Sequence, residues 1–196
     1  MRKLFATIAL LLFTTTFMNA QRNPMYVGVG PLITIPIGEF NNTTSMGLGI
    51  KGNFIYRISK KFEATGSIGY ISWGPDKTTI ATTTVEATES TTAIPILIGT
   101  RFYFPQKNLM PYALIEFGVN IFTFPPTTTV IAGTEDKNAA TKGDTTVDFG
   151  YALGGGATYE ISDGFKVDGS LKYNIINSGK SNPHITMQIG FLIGIN

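Results

Sequence analysis

The sequence predicts an all-β protein, an eight-stranded antiparallel up-and-down transmembrane β-barrel, and three observations support this fold class. Apolar and polar residues alternate with period two in eight segments, as they do in half-buried strands. Charged residues make up only 14% of the chain, against about 25% in average soluble domains. The links between the segments alternate between short and long, which is typical of barrels that cross a membrane.

The eight alternating segments are long enough to cross a bilayer as strands. Soluble strands have about five or six residues, whereas membrane strands need about nine to eleven. Beyond the N-terminus, no apolar run reaches the roughly 18–20 residues of a membrane helix. The predicted strands cover residues 25–36, 46–57, 62–73, 93–104, 111–123, 146–160, 164–175 and 184–195.

The connections indicate which end of the barrel is which. The links at 58–61, 105–110 and 161–164 are short, and those at 37–45, 74–92, 124–144 and 176–183 are longer. In outer-membrane barrels the short turns are periplasmic and the long loops face outward. The two longest loops are rich in threonine and are predicted to be solvated, without regular structure.

Residues 1–20 are predicted to be a secretory signal peptide, which leaves residues 21–196 as a single outer-membrane barrel domain. Arg2 and Lys3 precede an apolar stretch, and cleavage is expected after Ala20. Loss of these two cations would leave thirteen basic and thirteen acidic residues, so the charge does not favour a nucleic-acid partner. The chain has no cysteine, and closure of the sheet is then the expected means of protecting its edges.

Charged residues in the strands fall almost entirely on one face. When the apolar positions point outward to lipid, the inward positions carry five cations and five carboxylates. An enclosed charge is costly unless it is paired, so this balance predicts a structural charge network inside the lumen. The predicted network consists of Lys51, Arg57, Glu63, Arg101, Glu116, Asp148, Glu160, Lys166, Asp168 and Lys172.

Glycine and proline give further expectations about the wall. Twelve glycines share the inward face, where they are expected to make room for long charged side chains in a narrow lumen. Pro31 and Pro95 fall inside predicted strands, and each removes a hydrogen-bond donor from the ladder. A bulge or a local break is therefore expected at each proline.

No set of residues predicts catalysis, a cofactor or a metal site. His184 is the only histidine and the obvious candidate for a base, but no acid or nucleophile can be placed beside it. A zinc site is not expected in a chain with one histidine and no cysteine. We interpret His184 as a rim residue of a polar lumen and the protein as non-enzymatic.

The chain resembles the small eight-stranded outer-membrane β-barrels of the OmpA-like and OmpX-like kind. The resemblance covers residues 25–196 and depends on architectural motifs. It implies a location in the outer membrane of a Gram-negative bacterium, a charge-filled interior and exposed loops. The motifs are PIGEF after the first strand, GSIGYISW, IPILIGTRFYF, YALGGGATYEI and LKYNII.

These observations predict a structural or surface-interaction role and leave two alternatives. The expected partners are outer-membrane lipid, the secretion and barrel-assembly machinery, and an extracellular partner that contacts the loops at 74–92 and 124–145. One alternative is a small passive pore, because inward glycines could leave open space. The other is a soluble lipocalin-like carrier, which requires the apolar face to point inward.

Overall fold

The computed structural model describes residues 25–42, 44–75, 77–80, 83–87, 90–104, 108–131, 140–141, 143–178 and 180–195. The predicted signal peptide lies outside the described residues. The strands are β1 (Met25–Pro36), β2 (Thr44–Arg57), β3 (Phe62–Pro75), β4 (Lys77–Ile80), β5 (Thr83–Ala87), β6 (Thr91–Tyr103), β7 (Leu109–Phe124), β8 (Thr127–Ile131), β9 (Ala140–Thr141), β10 (Asp144–Ser162), β11 (Phe165–Ser178) and β12 (Lys180–Ile195). Between β1 and β2 lies a 3-10 helix, Gly38–Asn42.

Eight of these strands form a closed antiparallel barrel in the order β1-β12-β11-β10-β7-β6-β3-β2. The first and last strands pair with each other, so the sheet has no open edge. This confirms the predicted fold class, and the eight predicted segments coincide with the barrel strands to within four residues at each end. In the part of the chain that the structure describes, no helix is long and apolar enough to span a membrane.

The apolar face of each barrel strand points outward. In β12, Ile189 is 63% exposed while its neighbour Gln188 is 5% exposed, and β2, β6 and β10 alternate in the same sense. A soluble carrier would need the opposite arrangement. A belt of exposed leucine, isoleucine, valine and aromatic side chains is stable only where the surroundings are also apolar.

A second, four-stranded antiparallel sheet rises from the two threonine-rich loops, in the order β4-β5-β8-β9. This corrects the prediction that these loops lack regular structure. The low-complexity composition hid short runs such as KTTI, TTVEA and TTTVI, in which β-branched residues favour extended backbone. The long loops therefore pair with each other above the barrel.

The 3-10 helix folds back over the same end of the barrel, which we call the long-loop end. It begins at Gly38, whose φ of +61° suits a residue without a side chain. The Ile37 N–H donates to the Pro183 carbonyl at 3.0 Å, and the Thr44 hydroxyl donates to the Phe40 carbonyl at 2.8 Å. These bonds hold Phe40 in the mouth of the barrel, where it is buried.

The two strand prolines interrupt one ladder each without a bulge. Pairing of β1 with β12 skips Gly30 and Pro31 and resumes at Leu32 in unchanged register. Pairing of β3 with β6 likewise skips Pro95 and resumes at Ala93. Of the two expected outcomes, the local break is confirmed, because each proline still pairs normally with the strand on its other side.

Replacement of an outward leucine by arginine tests the orientation of the wall. Leu153 lies midway along β10 and is 64% exposed. Leu153→Arg is expected to lower the free energy of unfolding in lipid vesicles by about 2–4 kcal/mol, because it places a charge in the hydrocarbon layer. Thr145→Arg, near the long-loop end of the same strand, is the control and is expected to cost about 0–1 kcal/mol. Equal stability of both variants would contradict the assigned orientation.

Candidate functional site

The interior of the barrel is the candidate site, because the inward faces of all eight strands meet there. Its residues form a central charge cluster, a second ionic cluster toward the short-turn end, and an aromatic cluster at the long-loop end. Each cluster joins strands that are not neighbours in the sheet. Contacts across the lumen therefore add to the hydrogen bonds along the wall.

The central cluster consists of Lys51, Glu116 and Lys172. The Lys51 Nζ lies 3.0 Å from both carboxylate oxygens of Glu116, and the Lys172 Nζ lies 2.8 Å from Glu116 Oε2. The three residues come from β2, β7 and β11, no two of which are adjacent. All three side chains are buried, at 3–5% exposure, so their ion pairs are shielded from water.

The second cluster surrounds Asp168 toward the short-turn end. The Arg101 guanidinium donates to both oxygens of Asp168, at 2.9 and 3.2 Å, in a bidentate pair. The Tyr112 hydroxyl donates to the same carboxylate at 3.1 Å, and the Thr158 hydroxyl donates to it at 2.9 Å. The guanidinium also lies 4.4 Å from the centre of the Tyr112 ring. Asp168 is thereby tied to three other strands.

The remaining charges near the short-turn end make simpler contacts. Arg57 pairs with Glu63 at 3.2 Å, and the two residues face each other on adjacent strands. The Lys166 ammonium lies 4.2 Å from the centre of the Tyr26 ring, and the Arg57 guanidinium lies 5.5 Å from the same ring. Tyr26 therefore lies between two cations and presents its π face to each.

Two of the ten charged residues assigned to the lumen network, Asp148 and Glu160, are not buried in the lumen. Glu160 is exposed near the end of β10, and Asp148 is half-buried near the other rim, where the Thr146 hydroxyl donates to it. Glu160 still pairs with Lys166 on β11, and Asp148 pairs with Asn120 on β7, so both residues belong to the wall near its two ends. Alternation predicts whether a side chain faces inward, but not how far along the barrel axis it lies. The balance of five cations and five carboxylates therefore does not hold for the buried charges alone.

Most inward glycines lie close to the backbone of the adjacent strand, and some also lie against a large side chain. A Cβ atom on Gly156 would approach the Tyr112 hydroxyl oxygen to 2.5 Å, and one on Gly47 would approach Trp73 to 2.6 Å. By contrast, Gly66 and Gly169 face outward, and a Cβ there would meet no atom within 4 Å. The inward glycines thus accommodate large neighbours, including tyrosine and tryptophan as well as charged residues.

An aromatic cluster closes the long-loop end, and the sequence analysis missed it. The ring centre of Trp73 lies 5.5 Å from that of Phe40 and 5.6 Å from that of Phe122. Leu32, Ile71, Ala93 and Ile176 complete the cluster. Trp73 and Phe122 are large aromatic residues at inward positions, and that pattern is the signal from which the cluster could have been predicted. Phe40 carries no such signal, because it comes from the 3-10 helix.

His184 packs against this aromatic cluster. The sequence analysis had instead predicted that it lies at the rim of a polar lumen. It is 2% exposed, its ring centre lies 5.5 Å from that of Trp73, and its Nδ1 lies 3.3 Å from the Asn182 carbonyl oxygen. Among the described residues, no group of three His, Cys, Asp or Glu side chains is placed to hold a metal ion. Aromatic rings, the Asn182 carbonyl and the lumen cavity surround the imidazole, and no described carboxylate forms a hydrogen bond with it.

The lumen contains a small cavity between the central cluster and the aromatic cluster. Its volume is about 30 Å³, close to the space one water molecule takes in the liquid. Its polar lining includes the side chains of Lys51, Asn120, Lys172, Asn174, His184 and Thr186. A cavity of this size accommodates a water or a single ion and is too small for an organic ligand.

Removal of the central carboxylate tests the importance of the charge cluster. Glu116→Ala leaves two buried ammonium groups without their shared partner and is expected to lower the free energy of unfolding by about 3–5 kcal/mol. Fluorescence of Trp73, the only tryptophan, reports unfolding by urea in lipid vesicles. Glu160→Ala removes an exposed carboxylate and should change stability by no more than about 0.5 kcal/mol. A similar loss in the two variants would show that the cluster is not specially stabilising.

Comparisons with known proteins agree with this architecture. The fold is similar to that of Ail, the attachment invasion locus protein of Yersinia pestis, with 12% identity, a TM-score of 0.56, and coverage of 89% of this chain and 100% of that one. Neisserial surface protein A is 12% identical at a TM-score of 0.55, over 86% of this chain and 96% of its own. A major outer membrane protein of Thermus thermophilus is 8% identical at a TM-score of 0.55, over 87% of this chain and 99% of its own.

At the level of sequence, the comparison with curated proteins gave no match. Residues 5–192 match the family described as "Outer membrane protein beta-barrel domain". This match spans nearly the whole chain and includes seven of the barrel strands and most of the eighth, β12. The chain therefore belongs to the outer membrane protein β-barrel family.

Proposed function

We propose that this barrel is a non-enzymatic surface protein whose long-loop end binds a protein partner outside the cell. The observation that carries this proposal is the four-stranded sheet built from β4, β5, β8 and β9. Two loops that pair in register through backbone hydrogen bonds form a defined platform, in contrast to two independent flexible loops. In barrels of this class the long loops face the outside.

The chemistry of these loops supports a protein partner over a polyanion. Residues 74–92 and 124–145 contain six acidic and three basic residues. One neighbour of similar fold, Ail of Yersinia pestis, has been crystallised with the heparin analogue sucrose octasulfate. The acidic balance here opposes such a ligand, because like charges repel. Within the described residues β4 has one strand neighbour, β5, so its other edge is open to an added strand.

The closed lumen also supports a role at the surface and not in the interior. Bidentate and shared ion pairs fix the side chains of the central and short-turn clusters, and aromatic rings close the long-loop end. None of the lumen contacts described above joins a nucleophile to a base. The interior therefore serves to hold the barrel together.

Deletion of the loop sheet is expected to separate binding from folding. A variant that lacks residues 76–90 and 126–143 keeps all eight barrel strands and should retain the heat-dependent gel mobility of a folded barrel. Cells that express it should lose attachment to protein-coated surfaces, and neither form should attach to heparin-coated surfaces. Unchanged attachment of the deleted variant, or attachment to heparin, would refute the proposal. Unfolding of the variant would show that the loops are not a separable functional part.

The alternative of a passive pore predicts a different electrical behaviour. The aromatic cluster fills the long-loop end of the described lumen, so the purified barrel should show no steady conductance in planar bilayers. Steady single-channel conductance that rises in Glu116→Ala or Arg101→Ala would instead indicate a lumen gated by its ion pairs. Leu153→Ala, on the outer face, is the matched control and should not alter the recording.

A further inference from the structure

The enclosed charges of the lumen do not balance. Among the described residues, the fully buried cations are Lys51, Arg101, Lys166 and Lys172, and the fully buried carboxylates are those of Glu63, Glu116 and Asp168. Asp168 is engaged by Arg101 and Glu63 by Arg57. The central cluster is left with two ammonium groups on one carboxylate, a local excess of one positive charge.

The hydrogen bonds of the central cluster are also incomplete. An ammonium group has three N–H donors. Lys172 gives one to Glu116, and Lys51 makes two contacts to the same carboxylate. Within the residues that the structure describes, neither ammonium has a further acceptor. Two donors of Lys172 and one of Lys51 therefore require an acceptor that the protein itself does not provide.

The small cavity described above adjoins these donors. Both lysines line it, together with Asn120, which is 4% exposed and whose amide makes no hydrogen bond to another described residue. Asn174, also in the lining, holds its position by donating to the Thr186 hydroxyl at 2.9 Å. Two ammonium groups with spare N–H donors and the Asn120 amide thus line a space of about 30 Å³.

We propose that this cavity binds a small monovalent anion of the halide class, held by Lys172, Lys51 and Asn120. A water molecule could accept the free N–H donors, but the positive charge would then persist unless one of the two lysines lost its proton. An uncompensated charge away from bulk water is strongly disfavoured. A halide both accepts the hydrogen bonds and neutralises the cluster, and it matches the volume. This inference does not depend on the proposed function of the loops.

The proposal predicts a halide at one position in the barrel. The protein is refolded from urea and crystallised in bromide, and an anomalous difference peak is expected beside the Lys172 Nζ. Lys172→Met should abolish the peak. Lys166→Met, which removes an equally buried cation that does not line the cavity, should retain it. Absence of the peak in the wild-type protein, or its loss in both variants, would overturn the proposal.

Stability measurements provide a second test that does not need crystals. Chloride in place of gluconate at constant ionic strength should raise the urea midpoint of unfolding in lipid vesicles, since a ligand that binds only the folded state stabilises it. The shift should vanish in Asn120→Leu, which removes a donor without changing any charge, and persist in Lys166→Met. This comparison also decides the matter if Lys172→Met does not fold. A wild-type midpoint that is indifferent to the anion would refute binding.

Discussion

The carboxylate of Glu116, shared by the ammonium groups of Lys51 and Lys172, is the interaction on which the interior depends. It joins β2, β7 and β11 across the middle of the lumen, between the Arg101–Asp168 cluster at one end and the aromatic cluster at the other. A buried carboxylate is tolerated because two cations offset its desolvation, and each cation is tolerated because of the carboxylate. The geometry of one side chain therefore determines how two others can be enclosed.

The wall and the interior impose opposite demands on the same strands. The outer face must be apolar over the whole belt, whereas the inner face must hold polar groups in a narrow space without leaving them unpaired. Glycines such as Gly156 and Gly47 help to meet both demands, because the missing side chain leaves room for Tyr112 and Trp73.

Much of the fold could be predicted from sequence, and the reason is the strict period of a strand. In β12, Ile189 and Gln188 alternate between outside and inside because successive side chains of a strand point in opposite directions. The depth of a residue could not be predicted, and Glu160 shows why. It has the parity of an enclosed residue and pairs with the buried Lys166, but it lies so near the end of β10 that its side chain is exposed. The second sheet, formed by β4, β5, β8 and β9, was not predicted because threonine-rich segments occur in both loops and strands.

The sequence by itself determined the strand count, the outward face and the residue types of the interior, because these follow from alternation and turn spacing. Only the tertiary structure decided which charges meet. Lys51 and Glu116 are 65 residues apart, and Arg101 and Asp168 are 67 apart. Their contacts depend on how the closed barrel staggers its strands and on how far each side chain reaches across the lumen. The packing of Phe40 against Trp73 was likewise decided by tertiary structure, because Phe40 lies in a 3-10 helix that has no periodic sequence pattern.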